Sequence, residues 1–153
     1  SEGPERAEAL AAFHERWRHE PLVVDKWLTL QATSRLPGAL AVVRQLMTHE
    51  AFNLRNPNKV RALIGAFCQA NPVHFHAADY SGYTFLADQA LALNAFNPQI
   101  AARLLAGFAR WRHYDPLRQQ GMRQQLERIL AAPNLSPDVY EIAAKSLGGA
   151  PRG

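Results

Sequence analysis

Five times along this chain a capping residue is followed at once by proline: Asn56-Pro57, Asn71-Pro72, Asn97-Pro98, Asp115-Pro116 and Ser136-Pro137. Asn, Asp and Ser side chains accept hydrogen bonds from the first free amides of a helix. Proline suits the first helical position because its missing N–H would be an orphan there. Each pair therefore reads as a helix start, with Asn71 opening only a short turn. So many starts in 153 residues leave little room for a sheet.

Between these starts, apolar residues recur at three- and four-residue spacing. Residues 5–19 carry Leu10, Phe13 and Trp17, and Pro21 is expected to end that helix. Residues 22–34 put Val23, Trp27 and Leu30 on one stripe, flanked by Val24 and Leu28. Leu36-Pro37-Gly38 is a turn before a helix over 39–48 with Leu40, Val43 and Met47. The helix over 57–69 carries Val60, Leu63, Ile64 and Phe67 without a gap. Gly82 is expected in the loop after it, and a fifth helix carries Phe85, Leu86, Ala90 and Leu93. A sixth starts at Pro98 and continues the stripe Ile100, Leu104, Phe108, Trp111. The seventh has Leu117, Met122, Leu126, Ile129 and Leu130, and the eighth has Val139, Ile142 and Leu147. No segment alternates like a half-buried strand. The expectation is a single all-α domain over 1–153, about eight short antiparallel helices in a repeat-like, HEAT- or armadillo-like superhelical array. The uneven spacing of the starts denies it a fixed period.

With 48% hydrophobic and 20% charged residues the chain is globular rather than disordered. No apolar run approaches the ~20 residues that span a bilayer. The opening SEGPERAEAL lacks the basic-then-apolar pattern of an export signal, so a cytoplasmic location and no membrane partner are expected. Cys68 stands alone, which excludes an internal disulfide, and its neighbours Ala66 and Phe67 favour a buried, inert thiol. The net charge of +4 is uneven: Arg103, Arg110, Arg112, Arg118, Arg123 and Arg128 share a segment with only Asp115 and Glu127. That suits phosphate or an acidic partner. No basic-aromatic motif of a nucleic-acid reader accompanies it, so nucleic acid is not the favoured partner. Solvated helix faces, or faces meeting acidic neighbours in a larger protein, account for it as well.

Three constellations could carry chemistry. His14 to His19 looks like the zinc signature His-Glu-x-x-His, but the second His falls at i+5. Five residues turn a helix by about 500°, leaving the imidazoles roughly 140° apart, so no shared metal is expected. His74, His76 and Asp79 lie in a loop where ligands can converge, yet no fourth ligand accompanies them; the alternative is that Phe75 anchors the loop while the histidines meet helix ends or water. Gln99 and Arg103, four apart near a helix start, share a face at the edge of the Ile100/Leu104 stripe. Arginine's planar fork suits a peptide carboxylate or carbonyls. On these residues alone an intrahelical pair or a helix cap explains that face more simply.

A longer comparison changes the weighting. The strings Asn56-Pro-Asn-Lys-Val-Arg-Ala-Leu-Ile-Gly-Ala-Phe67, Phe75-His-Ala77, Ser81-Gly-Tyr83, Asn97-Pro-Gln-Ile-Ala-Ala-Arg103 and Arg112-His-Tyr-Asp115 resemble the C-terminal helical domain of the bacterial aminopeptidase N family. Pro21-Leu-Val-Val-Asp-Lys-Trp27 upstream and Leu135-Ser-Pro-Asp-Val-Tyr140 downstream belong to the same pattern, so the likeness covers nearly the whole chain. The resemblance implies a zinc-dependent exopeptidase that removes N-terminal residues, with its zinc held by a His-Glu-x-x-His helix absent from this chain. It implies that this chain is the last half or so of the helical domain, non-catalytic, with no metal or cofactor of its own. Its partners would be the catalytic domain of the same polypeptide and the peptide substrate. In that family the domain closes over the active-site cavity, and the matching Gln99 and Arg103 would face it; Arg61 is a further, weaker candidate. One departure concerns the loop, where Tyr80 replaces the glycine usual before Ser-Gly-Tyr. If the backbone there needs positive φ, tyrosine carries strain. The rival account is a free-standing helical-repeat module that binds protein or nucleic acid through its basic helices.

Overall fold

The computed structural model describes residues 4–148. They form α1 (Pro4–Trp17), α2 (Pro21–Ala32), α3 (Ala39–Met47), α4 (Pro57–Val60), a π turn (Arg61–Gly65), α5 (Ala66–Ala70), α6 (Pro72–Phe75), α7 (Ser81–Asn94), α8 (Pro98–Leu104), two 3-10 turns (Leu105–Phe108 and Trp111–His113), α9 (Pro116–Leu130) and α10 (Pro137–Gly148). Among the described residues there is no strand. All five capping residues cap: Asn56 Oδ1 accepts from the Asn58 N–H at 3.0 Å, and Asn71, Asn97, Asp115 and Ser136 accept from the third helical amide at 3.2–3.4 Å. Each is followed by its proline at the first helical position, as the residue types require.

One core runs through the array. Leu28, Val43, Leu46, Leu63, Ile64, Phe67, Phe85, Leu86, Leu93, Phe108, Met122, Leu126 and Val139 are all sealed from solvent. α2 packs on α3 and on the π turn, α7 on α8 and α9, and α10 on α8 and α9. Each fully buried Leu or Phe contributes roughly 2 kcal/mol from burial, so the stripes rather than helix propensity hold these short helices together.

Several local expectations need correction. Pro21 does not end α1, which stops at Trp17; it opens α2. The inward face of α2 is Val24, Leu28 and Ala32, whereas Leu30 is 68% exposed. The helix is apolar on two adjacent faces, so its phase is decided by its neighbours: Trp27 is drawn sideways into a stack on Phe13, with ring centres 4.4 Å apart. Leu117, expected on the inner stripe of α9, is also exposed. The stripe from Ile100 to Trp111 is buried as expected, but not by one continuous helix. α8 ends at Leu104 and the chain tightens into two 3-10 turns, bringing Gly107 so close to Leu86 that an added Cβ would lie 3.0 Å from its Cδ2.

The helix from Asn56 also departs from a plain α form. At the π turn the Ala66 N–H reaches back to Arg61 O, five residues away. The Ala62 carbonyl is bonded from outside, by the Thr29 hydroxyl of α2 at 2.8 Å. A side chain that enters the ladder in this way explains why the turn widens here.

Gly82, expected in a loop, is the second residue of α7. A Cβ there would stand 2.2 Å from Phe75 O, so only glycine lets α6 and α7 meet this closely. Just before it, Tyr80 does adopt positive φ, at 67°.

Candidate functional site

The Asn97 cap and Pro98 fix the start of α8, and the α-helical step then sets Gln99 and Arg103 on its outer side while Ile100 and Leu104 turn inward. Facing them is the π turn and α5. The small residues Gly65, Ala66 and Ala70 keep the two backbones from filling the gap, leaving a cavity of about 340 Å³. Ile100 and Leu104 line its apolar side, and Arg61, Gln69 and Arg103 supply its polar groups. Arg61 is steadied by its own helix, donating from Nη2 to Asn58 Oδ1 at 2.7 Å. The Arg103 guanidinium has no ion pair or hydrogen bond among the described residues. The lining contains no carboxylate, so the cavity offers hydrogen-bond donors and positive charge to an acceptor-rich ligand.

Of the three residues singled out from the sequence, Arg61 and Arg103 therefore share one concavity. Gln99 is exposed one turn earlier and does not line it. The pairing of Arg61 with Arg103 across 42 positions had no local signal. Gln69 was missed altogether, because it looks like an ordinary polar helix residue until α5 is set opposite α8.

The His74–Tyr83 loop behaves differently. His74 Nε2 lies 3.1 Å from Arg35 O, and His76 Nδ1 lies 2.7 Å from the Tyr83 hydroxyl. Asp79 accepts from Ser81 N at 2.9 Å and Ser81 Oγ at 2.6 Å just before α7, and these bonds hold its carboxyl below the usual carboxylate range. The three candidate ligands thus serve three separate partners, and no group of three or more His, Cys, Asp or Glu among the described residues is placed to hold a metal. His14 and His49 meet edge to face, with His14 Nδ1 3.4 Å from Glu50. Cys68 is buried, which pushes its thiol well above the ordinary range and leaves it a poor nucleophile.

The arginine-rich segment is not one basic surface. Arg112 closes the end of α10, donating to Ser146 O at 3.0 Å and Leu147 O at 2.6 Å, beside the Trp111 Nε1 bond to Ser146 O. Arg118 pairs with Asp115 and donates to His76 O, and Arg128 pairs with Asp88 at 2.6 Å. Arg103, Arg110 and Arg123 are left without such partners among the described residues.

Over residues 1–148 the chain matches the family described as a domain of unknown function (DUF3458_C) ARM repeats. It is 49% identical over 146 residues to aminopeptidase N of Caulobacter vibrioides, covering 95% of this chain and 17% of that protein. Identity to aminopeptidase N of Escherichia coli is 44% over 144 residues, covering 94% and 17% respectively. The crystal structure of Legionella pneumophila aminopeptidase A in complex with aspartic acid matches with a TM-score of 0.85 at 37% identity, over 94% of this chain and 17% of that one. The chain thus spans about one sixth of the length of the curated relatives it matches.

Proposed function

We infer the function from one premise: the chain belongs to the ARM-repeat domain family (DUF3458_C) whose sequence runs through aminopeptidase N. On that premise it is the non-catalytic C-terminal domain of a bacterial zinc aminopeptidase, and it encloses the active-site cavity and limits which peptides reach it. Its partners are the catalytic domain of the same polypeptide and the peptide substrate, and its proposed location is the cytoplasm. Zinc belongs to the catalytic domain in this reading, held there by the His-Glu-x-x-His helix that the resemblance implies. No helix among the described residues is long and apolar enough to cross a membrane.

The observation that carries the proposal is the cavity between the π turn and α8, where Arg103 has no partner among the described residues and Arg61 is braced beside it. Two guanidinium forks on a partly apolar wall suit the carbonyls and carboxylate of a peptide's leaving side. Gln99, on the same outer face as Arg103, would extend that contact along the rim. In the full-length enzyme, Arg103→Ala should lower kcat/KM for peptides by roughly tenfold, about the 1.4 kcal/mol of one charged hydrogen bond. Turnover of a small chromogenic amide, which lacks the leaving-side peptide, should change far less. Equal losses on both substrates would reject the contact. The binding-module alternative is weakened by the engagement of Arg112, Arg118 and Arg128 inside the fold.

A further inference from the structure

Past Gln69 the seam between α5–α6 and the strip after α8 opens again. This second cavity, of about 370 Å³, shares Gln69 with the first and has His76, Arg110 and Tyr114 as its other polar positions. Phe75 and Gly107 lie among its apolar walls. Nothing in the proposed function uses it.

The state of His76 can be worked out from its neighbour. Tyr83 is fully buried, and the one hydrogen-bond partner of its hydroxyl among the described residues is His76 Nδ1. If Nδ1 carried the proton, the buried phenol hydrogen would be left without an acceptor, at a cost of about 1–3 kcal/mol. The hydroxyl therefore donates, and the proton of the neutral ring sits on Nε2. Burial, and then the charge of Arg118, keep the imidazole below its ordinary pKa against the smaller opposing pull of Asp115. Tyr83 itself is pushed up to about 12 by burial, so it stays a donor. Tyr114 stacks on the ring with centres 4.4 Å apart and the Tyr83 hydroxyl holds Nδ1, so the imidazole is fixed by one face and one nitrogen, while Arg118 Nε anchors the backbone carbonyl of His76 at 2.9 Å. The Nε2 atom has no partner among the described residues, and neither has the Arg110 guanidinium.

The cavity thus presents an imidazole N–H, a guanidinium fork and an amide, with no carboxylate among its lining residues. Asp115, the nearby acid, is already held by Arg118 at 3.1 Å. We propose that this second cavity binds a carboxylate, with Arg110 as its charge partner and the His76 Nε2–H as a second, directional donor. A free small acid and the C-terminus of a peptide share this chemistry. The site stands whether or not Arg103 touches substrate.

The test is an NMR titration of the isotope-labelled chain at pH 7 with acetate, N-acetyl-alanyl-alanine and the C-terminal amide of the same dipeptide. The acid should shift the His76 ring and Arg110 side-chain resonances saturably, with Kd roughly tenfold below that of the amide, as a charge-assisted contact requires. Acetate that binds as well as the acid dipeptide would mark a small acid as the ligand, and a weaker acetate would mark a peptide end. Arg110→Gln should abolish the preference for acid over amide, and Arg110→Lys should keep part of it. His76→Gln should weaken the acid while leaving the charge preference in place. Equal binding of acid and amide, no saturable shift, or the same loss from Arg123→Gln would each overturn the proposal.

Discussion

Two stretches face each other across the seam, and they treat their polar side chains in opposite ways. In the stretch from His74 to Tyr83, His74 and Asp79 are bonded to backbone or to the next helix, and His76 has one nitrogen bound to a buried phenol. Along the strip from Gln99 to Arg110, two arginines have no partner at all among the described residues. Residue type alone would assign the roles the other way round, since histidine and aspartate are the usual ligands and catalysts and arginine the usual surface residue. Placement in the fold decides otherwise: exposed Asp79 is held by Ser81 at the start of α7, and His76 is held through one nitrogen by the buried Tyr83. A polar atom withdrawn from water must be satisfied by the protein, and an atom so satisfied, as His76 Nδ1 is by Tyr83, is not free to meet a ligand, whereas its Nε2 still is.

That contrast makes stability and ligand response separable. The largest loss is expected from Gly82→Ala, where the new Cβ meets the Phe75 carbonyl and α6 and α7 must move apart; about 3 kcal/mol is expected from urea unfolding. Asn71→Ala comes next. Its side chain is fully buried, donates to Ala32 O and Ser34 O, and caps α6, so removal leaves buried groups unpaired and should cost about 2–3 kcal/mol. Asn56→Ala, the same motif on the surface, should cost only about 1 kcal/mol in the same measurement. Equal costs would show that burial is not what separates the two.

A gentler probe is pH. The imidazoles of His49 and His76 both lie below the ordinary value of 6.5, in each case first because of burial. The unfolded chain therefore takes up protons at these positions before the folded one does, so stability is complete above 6.5 and falls as pH drops below it. Unfolding midpoints measured between pH 7.5 and 5.5, about one unit either side of the histidine value, should decline on the acid side. His76→Gln should flatten part of that decline. The smallest effect belongs to the other side of the seam: Arg103→Ala should change stability by less than about 0.5 kcal/mol. A loss near that of Asn71→Ala would mean that Arg103 is structural after all and would erase the contrast.

Tyr80 shows how far the sequence can be read and where it stops. It stands where the family it resembles usually has glycine, so it would carry strain if the backbone there needs positive φ, and the backbone has φ of 67°. What offsets the strain is visible only in three dimensions. Its ring lies where a Cβ on Gly121 of α9 would come within 2.5 Å, and its hydroxyl donates to Leu117 O. The tyrosine thus ties the loop to α9. Arg103 and Arg61 stood out as candidates through their motifs, whereas Gln69 carried no pattern of its own and Arg110 and Tyr114 were visible only as members of the arginine-rich segment and of the Arg112–Asp115 string.

The helix starts were determined by the sequence itself, because capping is settled within three or four residues and needs no distant partner. The same is true of the buried stripes, whose spacing follows from the helical repeat. The tertiary structure alone decided the phase of α2, the π turn, the two 3-10 turns and the choice of which arginines remain free. Each of these depends on a group far along the chain: Thr29 reaching Ala62 O, Leu86 pressing on Gly107, and Ser146 and Leu147 offering carbonyls to Arg112. Local chemistry can place a helix end, but competition for a buried carbonyl is settled only when the competing donor has been folded against it.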